Sequence, residues 1–123
     1  MVLRGSCLCG AVAYEADGPI AKFPTCTCSR CRKATGSAHS ANVYVAPETF
    51  RWIRGADAVR RYDLPTARSF ATAFCTTCGA PVPHPTRSGR EVIIPAGSLD
   101  VDPGVRPSER AHSDSRAPWT TEG

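Results

Sequence analysis

The sequence contains no apolar run long enough to cross a bilayer or to form the core of a signal peptide, since a membrane helix needs about 20 consecutive apolar residues. A cytoplasmic protein with no membrane partner is expected. There is no internal repeat and no linker-like stretch, so residues 1–123 are expected to form one domain, within the usual size of about 100–150 residues. There is also little to favour long helices, because ten glycines and eleven prolines punctuate the chain. With hydrophobic residues at 41%, slightly under the usual share, the core should be small. A chain of this size buries proportionally little surface, and an added staple such as a bound metal would make a large difference to it.

What is present instead is a series of short, turn-bounded segments rich in β-branched and aromatic residues. Residues 11–15, 41–45, 50–53, 59–62, 69–74 and 91–94 each read as a strand, bounded by Pro, Gly or Asp. Their spacing of roughly ten residues is the pattern of an all-β sandwich or barrel-like sheet. The only helix expected covers residues 29–36, which begin with the capping residue Ser29 and end on Gly36. Phe50, Trp52, Phe70 and Phe74 are assigned to the core of the sheet. The stretch from about residue 103 to 123 is polar and rich in Pro, Arg, Ser and Glu, and is expected to be a loosely packed tail pinned by Trp119.

All seven cysteines fall in three clusters: Cys7-Leu8-Cys9-Gly10, Cys26-Thr27-Cys28-Ser29-Arg30-Cys31 and Cys75-Thr76-Thr77-Cys78-Gly79. Seven thiols cannot pair off as disulfides, and short spacings in a reducing compartment point to metal ligands or catalysts. A Cys-x-x-Cys-Gly turn directs both sulfurs to one tetrahedral ion, because glycine takes a positive φ and frees backbone amides for the thiolates. Cys7 and Cys9, one residue apart, lie on one face of an extended chain. Joined to Cys75 and Cys78 they complete a four-thiolate site of structural type, closing a loop of about seventy residues. Redox use of Cys75 and Cys78 is the competing reading.

Cys26, Cys28 and Cys31 remain, and three ligands on one short segment leave the fourth position of an ion open, as in catalytic zinc sites. The alternatives are a second structural ion completed by a histidine, and unliganded thiols. None of the scattered histidines, His39, His84 and His112, is assigned as a ligand. Arg30, Arg32 and Lys33 stand beside the three thiols and are candidates to hold an anionic ligand. The formal charge of +4 counts all thiols as neutral; seven thiolates on two zinc ions would reduce it to +1. That leaves no electrostatic footprint for a nucleic-acid partner, and Arg54, Arg60, Arg61 and Arg68 are ranked accordingly.

These segments, with Gly5-Ser6 before the first cluster, Arg32-Lys33 and Gly36-Ser37 after the second, and Gly97-Ser98-Leu99-Asp100 further on, resemble the GFA family. That family comprises the glutathione-dependent formaldehyde-activating enzymes and their centromere-protein-V-like relatives. The resemblance implies a β-rich fold on two zinc sites, with Cys7, Cys9, Cys75 and Cys78 on a structural ion and Cys26, Cys28 and Cys31 on a catalytic one. It also implies carbon–sulfur lyase activity, the joining of glutathione and formaldehyde into S-hydroxymethylglutathione. Three thiolates make the metal a weaker Lewis acid, so positioning of a substrate thiolate is favoured over strong activation of the carbonyl. A non-catalytic zinc-stabilised binding or scaffold module of the same fold is the alternative. A monomer or weak homo-oligomer is expected.

Overall fold

A computed structural model describes residues 2–121. In chain order the strands and helix are β1 (Val2–Ser6), β2 (Ala13–Asp17), β3 (Pro24–Cys26), α1 (Ser29–Thr35), β4 (Ser40–Val45), β5 (Phe50–Arg54), β6 (Val59–Asp63), β7 (Ala71–Cys75), β8 (His84–Pro85), β9 (Val92–Pro95) and β10 (Glu109–Ala111). They form a three-stranded sheet, β1-β2-β5, a five-stranded sheet, β10-β3-β4-β9-β8, and the two-stranded β6-β7. The fold is mainly β with one short helix, as the turn-bounded segments predict. Among the described residues no helix is long and apolar enough to cross a membrane.

Side-chain alternation determines how the sheets face one another. On β4 and β9, Val43, Val45, Val92 and Ile94 point to one side and are buried against Leu3, Tyr14 and Ala16 of the three-stranded sheet. Tyr14, Phe50 and Trp52 extend this core as an aromatic cluster, with ring centroids 4.9–6.5 Å apart. A second core joins Cys7 and Val12 to Ala73, Cys75 and Val82, so the first cysteine segment is packed against β7 even before any metal is considered.

Several sequence expectations need correction. The strand expected at 11–15 starts two residues later, because residues 7–12 are folded into a tight loop in which Cys7 N–H donates to the Val12 carbonyl at 3.0 Å. Phe50 and Trp52 pack on the core, but Phe70 joins neither core cluster and Phe74 is 36% exposed: it alternates with the inward-facing Ala73 and Cys75 and points the other way. The tail is not loose throughout. Glu109–Ala111 adds to β3 as a parallel edge strand, and Thr27 Oγ1 donates to the His112 carbonyl at 2.6 Å. Such backbone pairing needs no apolar side chains, which is why a polar composition concealed it. Nor does Trp119 pin the tail, being 65% exposed; the buried residue there is Ala117.

Candidate functional site

The first and third cysteine clusters meet. Cys7, Cys9, Cys75 and Cys78 place their sulfurs within 4.8 Å of one another, with Cys7 to Cys9 at 3.7 Å and Cys9 to Cys75 at 3.9 Å. Four sulfurs about 2.3 Å from a tetrahedral ion stand about 3.8 Å apart, so the cluster already has the dimensions of a tetrathiolate zinc site. Both hairpin knuckles are built for it. Gly10 and Gly79 take φ of +82° and +78°, the left-handed turn that glycine adopts without strain, and Val12 N–H and Thr77 N–H donate to the Cys7 and Cys75 sulfurs.

Cys26, Cys28 and Cys31 form a second cluster, also within 4.8 Å. Cys26 ends β3, while Cys28 is the N-cap of α1 and accepts from Cys31 N–H at 3.4 Å. The first turn of the helix thus brings Cys31 back over Cys28. Arg32 ties this segment to the chain around it, donating from Nε to the Thr27 carbonyl at 3.1 Å and from Nη2 to the Ser115 carbonyl at 3.4 Å. Arg30 and Lys33 are exposed on α1.

Without metal the thiols of each cluster cannot all ionise side by side. Burial raises the Cys7 thiol, but hydrogen bonds from Val12 N–H and from the neighbouring thiols outweigh this and hold it down at about 6. Cys9 is favoured as thiolate by Ala11 N–H, yet desolvation and donation to Cys7, Cys78 and Cys75 push it up to about 11. In the second cluster burial, with donation to its neighbours, pushes Cys31 up to about 12 and raises Cys26. Metal binding at pH 7 must therefore expel at least the protons of Cys9, Cys26 and Cys31. Zinc titrations by calorimetry in buffers of different ionisation enthalpy should show three or more protons released per chain, and affinity falling as pH falls. A proton count near zero would contradict this.

Beside the second cluster lies a cleft of about 930 Å³. Cys31, Ala34 and Thr35 form one end of it. Its floor is the outer face of the five-stranded sheet, with Asn42, Tyr44, Ile93 and Pro95, and its wall is β7 with the residues on either side of it, including Phe70, Phe74, Pro81 and Val82. Cys7 and Asp100 also border it, and Asp100 accepts from Ser6 Oγ at 2.7 Å. None of Arg30, Arg32 and Lys33 lines the cleft.

His84, unassigned from the sequence, lines the cleft as well. Its partner on β9 is Ile93, which is paired with Tyr44 on β4, and Ser40 of β4 is paired with Cys26. Two strand spacings and four residues put His84 about 16 Å from the Ser40 end, where the thiols lie. His84 is 8% exposed, its Nδ1 has no hydrogen-bond partner, and burial together with nearby Arg61 lowers its pKa to about 4. It is a neutral ring at pH 7.

Residues 2–115 match the family described as glutathione-dependent formaldehyde-activating enzyme, GFA. A crystal structure of a Rhodobacter sphaeroides protein superimposes with a TM-score of 0.66 at 28% sequence identity, covering 88% of this chain and 99% of that one. None of the curated proteins matches the chain.

Proposed function

The chain belongs to the glutathione-dependent formaldehyde-activating enzyme family, and we propose that it is a zinc-dependent carbon–sulfur lyase joining a thiol to an aldehyde. Glutathione and formaldehyde are the pair the family name suggests. We assign two zinc ions per chain: a closed structural one on Cys7, Cys9, Cys75 and Cys78, and an open one on Cys26, Cys28 and Cys31. The observation that carries this reading is that the three-sulfur cluster, one ligand short of a tetrahedral set, borders a large cleft at Cys31.

Bound at the open cluster, zinc would supply a Lewis-acidic position that lowers the pKa of a thiol from its usual value of about 8.5. The chain's own part is to hold that position still. Cys31 N–H steadies the Cys28 sulfur, and Arg32 anchors the segment to Thr27 and to Ser115 in the tail. In the reaction the thiolate sulfur bonds to the aldehyde carbon, the carbonyl π pair moves to oxygen, and oxygen takes a proton; the lyase direction reverses each change. Arg30 and Lys33, exposed beside the cluster and outside the cleft, are the candidates for glutathione's carboxylates.

Cobalt substitution tests whether the position is open. With cobalt(II) in both clusters, glutathione is expected to shift the visible bands of one ion and leave those of the other unchanged. Spectra indifferent to any thiol would mean a closed second site, and a non-catalytic scaffold of the same fold.

A further inference from the structure

We propose that the cleft receives the body of an uncharged, largely apolar aldehyde, so that an aryl or long alkyl aldehyde is preferred over formaldehyde. That the occupant is an aldehyde rests on the lyase reading; the cleft's preference for a neutral apolar body does not.

Size is the first argument. Formaldehyde has two heavy atoms, whereas about 930 Å³ lies at the upper end of ordinary ligand pockets, about 300–1,000 Å³. The cleft is lined by residues from Cys31 to His84, and strand geometry puts His84 about 16 Å from Ser40, the residue paired with Cys26. A substrate confined to the metal would leave nearly all of this space to water.

Charge decides what fills it. Among the described residues no lysine or arginine lines the cleft, while Asp100 does. The nearby ammonium of Lys22 packs over the Tyr44 ring, 4.4 Å from its centroid, without itself lining the cleft. Once zinc is bound, three thiolates leave the second cluster with a formal charge of −1 and four leave the first with −2. The histidines His39 and His84 aside, the formal charges of the lining groups are then all negative, and the cations nearby, Lys22 over Tyr44 and Arg61 beside His84, do not line the cleft. A carboxylate placed inside would lose its hydration and gain no counter-ion. Glutathione's two carboxylates therefore belong outside, on the α1 side, and the cleft is left for the other reactant. Phe70, Phe74, Pro81 and Ile93 give that reactant aromatic and aliphatic surface, beside the uncharged polar Asn42, Thr72 and Ser98. At the far end His84, 8% exposed, supplies at most a single N–H donor and no counter-charge when neutral.

A titration of the zinc-loaded protein followed by ¹H–¹⁵N NMR separates the two parts of the proposal. The probes are 4-methylbenzyl alcohol, neutral and unreactive, and 4-carboxybenzyl alcohol. The neutral probe is expected to bind at least 10-fold more tightly and to shift the amides of Tyr44, Phe74 and Ile93. Ile93→Arg, or Asn42→Arg should the first fail to fold, is expected to reverse the preference. Equal affinities, tighter binding of the carboxylate, or shifts confined to other faces would overturn the proposal. In turnover with one fixed thiol, kcat/KM for 4-methylbenzaldehyde should exceed that for formaldehyde by at least 10-fold; parity or the opposite order overturns the size argument. If neither aldehyde turns over while the NMR preference holds, the cleft's preference stands and the lyase reading falls.

Discussion

Replacing Cys75 by serine is expected to leave the chain unfolded at 25 °C, with the dispersed NMR spectrum and β-sheet circular dichroism of the native protein lost, and a strong chelator should do the same to the unaltered chain. Structural zinc is worth about 10–16 kcal/mol of apparent binding free energy in zinc-finger peptides, against a net stability of about 5–15 kcal/mol for a typical domain. Here the ion would join the loop after β1 to the end of β7, sulfurs 66 residues apart in sequence being 3.9 Å apart in space. The second core is small and is built around Cys7 and Cys75 themselves, with Val12, Ala73 and Val82. Few other contacts could replace that link. A chelated sample that keeps its native spectrum would show that packing alone suffices.

Cys28→Ser should behave oppositely, keeping the fold and losing the chemistry. Serine is a good N-cap, so its hydroxyl can accept from Cys31 N–H as the Cys28 sulfur does. The segment is also held without metal, by pairing of β3 with β4 and β10 and by the Thr27–His112 and Arg32–Ser115 hydrogen bonds. The expected result is one zinc per chain instead of two, an unchanged melting profile apart from the lost metal, and turnover reduced by at least about 100-fold. Losing merely an outer-shell partner of a metal commonly costs 10- to 100-fold. Turnover within a factor of a few of the original would remove the open cluster from the mechanism.

The grouping of the seven cysteines into a set of four and a set of three was legible in their spacing. Cys-x-x-Cys-Gly and Cys-x-Cys-Gly are local turn chemistry, and local chemistry can be read along a chain. Six strands and the helix at 29–36 were legible for the same reason, each being a run of suitable residues between turn signals. What was not legible depended on partners distant in sequence. β1 carries Arg4, Gly5 and Ser6 and looks like a loop until it pairs with β2. β10 is exposed and polar, and is a strand only because β3 offers it a backbone edge. Phe74 looks like a core aromatic by type, but Ala73 and Cys75 on either side claim the inward face.

The cleft has a faint signal in the sequence. In Ser40-Ala41-Asn42-Val43-Tyr44-Val45 the polar residues alternate with apolar ones, which in a strand means that one face meets the core and the other is left for solvent or ligand. His84 had no such signal, since only the register of β8 on β9 brings it to the same surface. The absence of Arg30, Arg32 and Lys33 from that surface was equally beyond spacing, because proximity to Cys31 along the helix says nothing about which side of the cluster a cation faces.

Zinc K-edge X-ray absorption on the purified protein, combined with metal analysis, addresses the pairing of the clusters most directly. Two zinc ions per folded chain are expected, in a sulfur-dominated shell at about 2.3 Å averaging between three and four sulfurs per ion, the remainder being a light atom at the open position. A single zinc with four sulfurs, or a shell rich in histidine nitrogen, would contradict the division into a closed site and an open one.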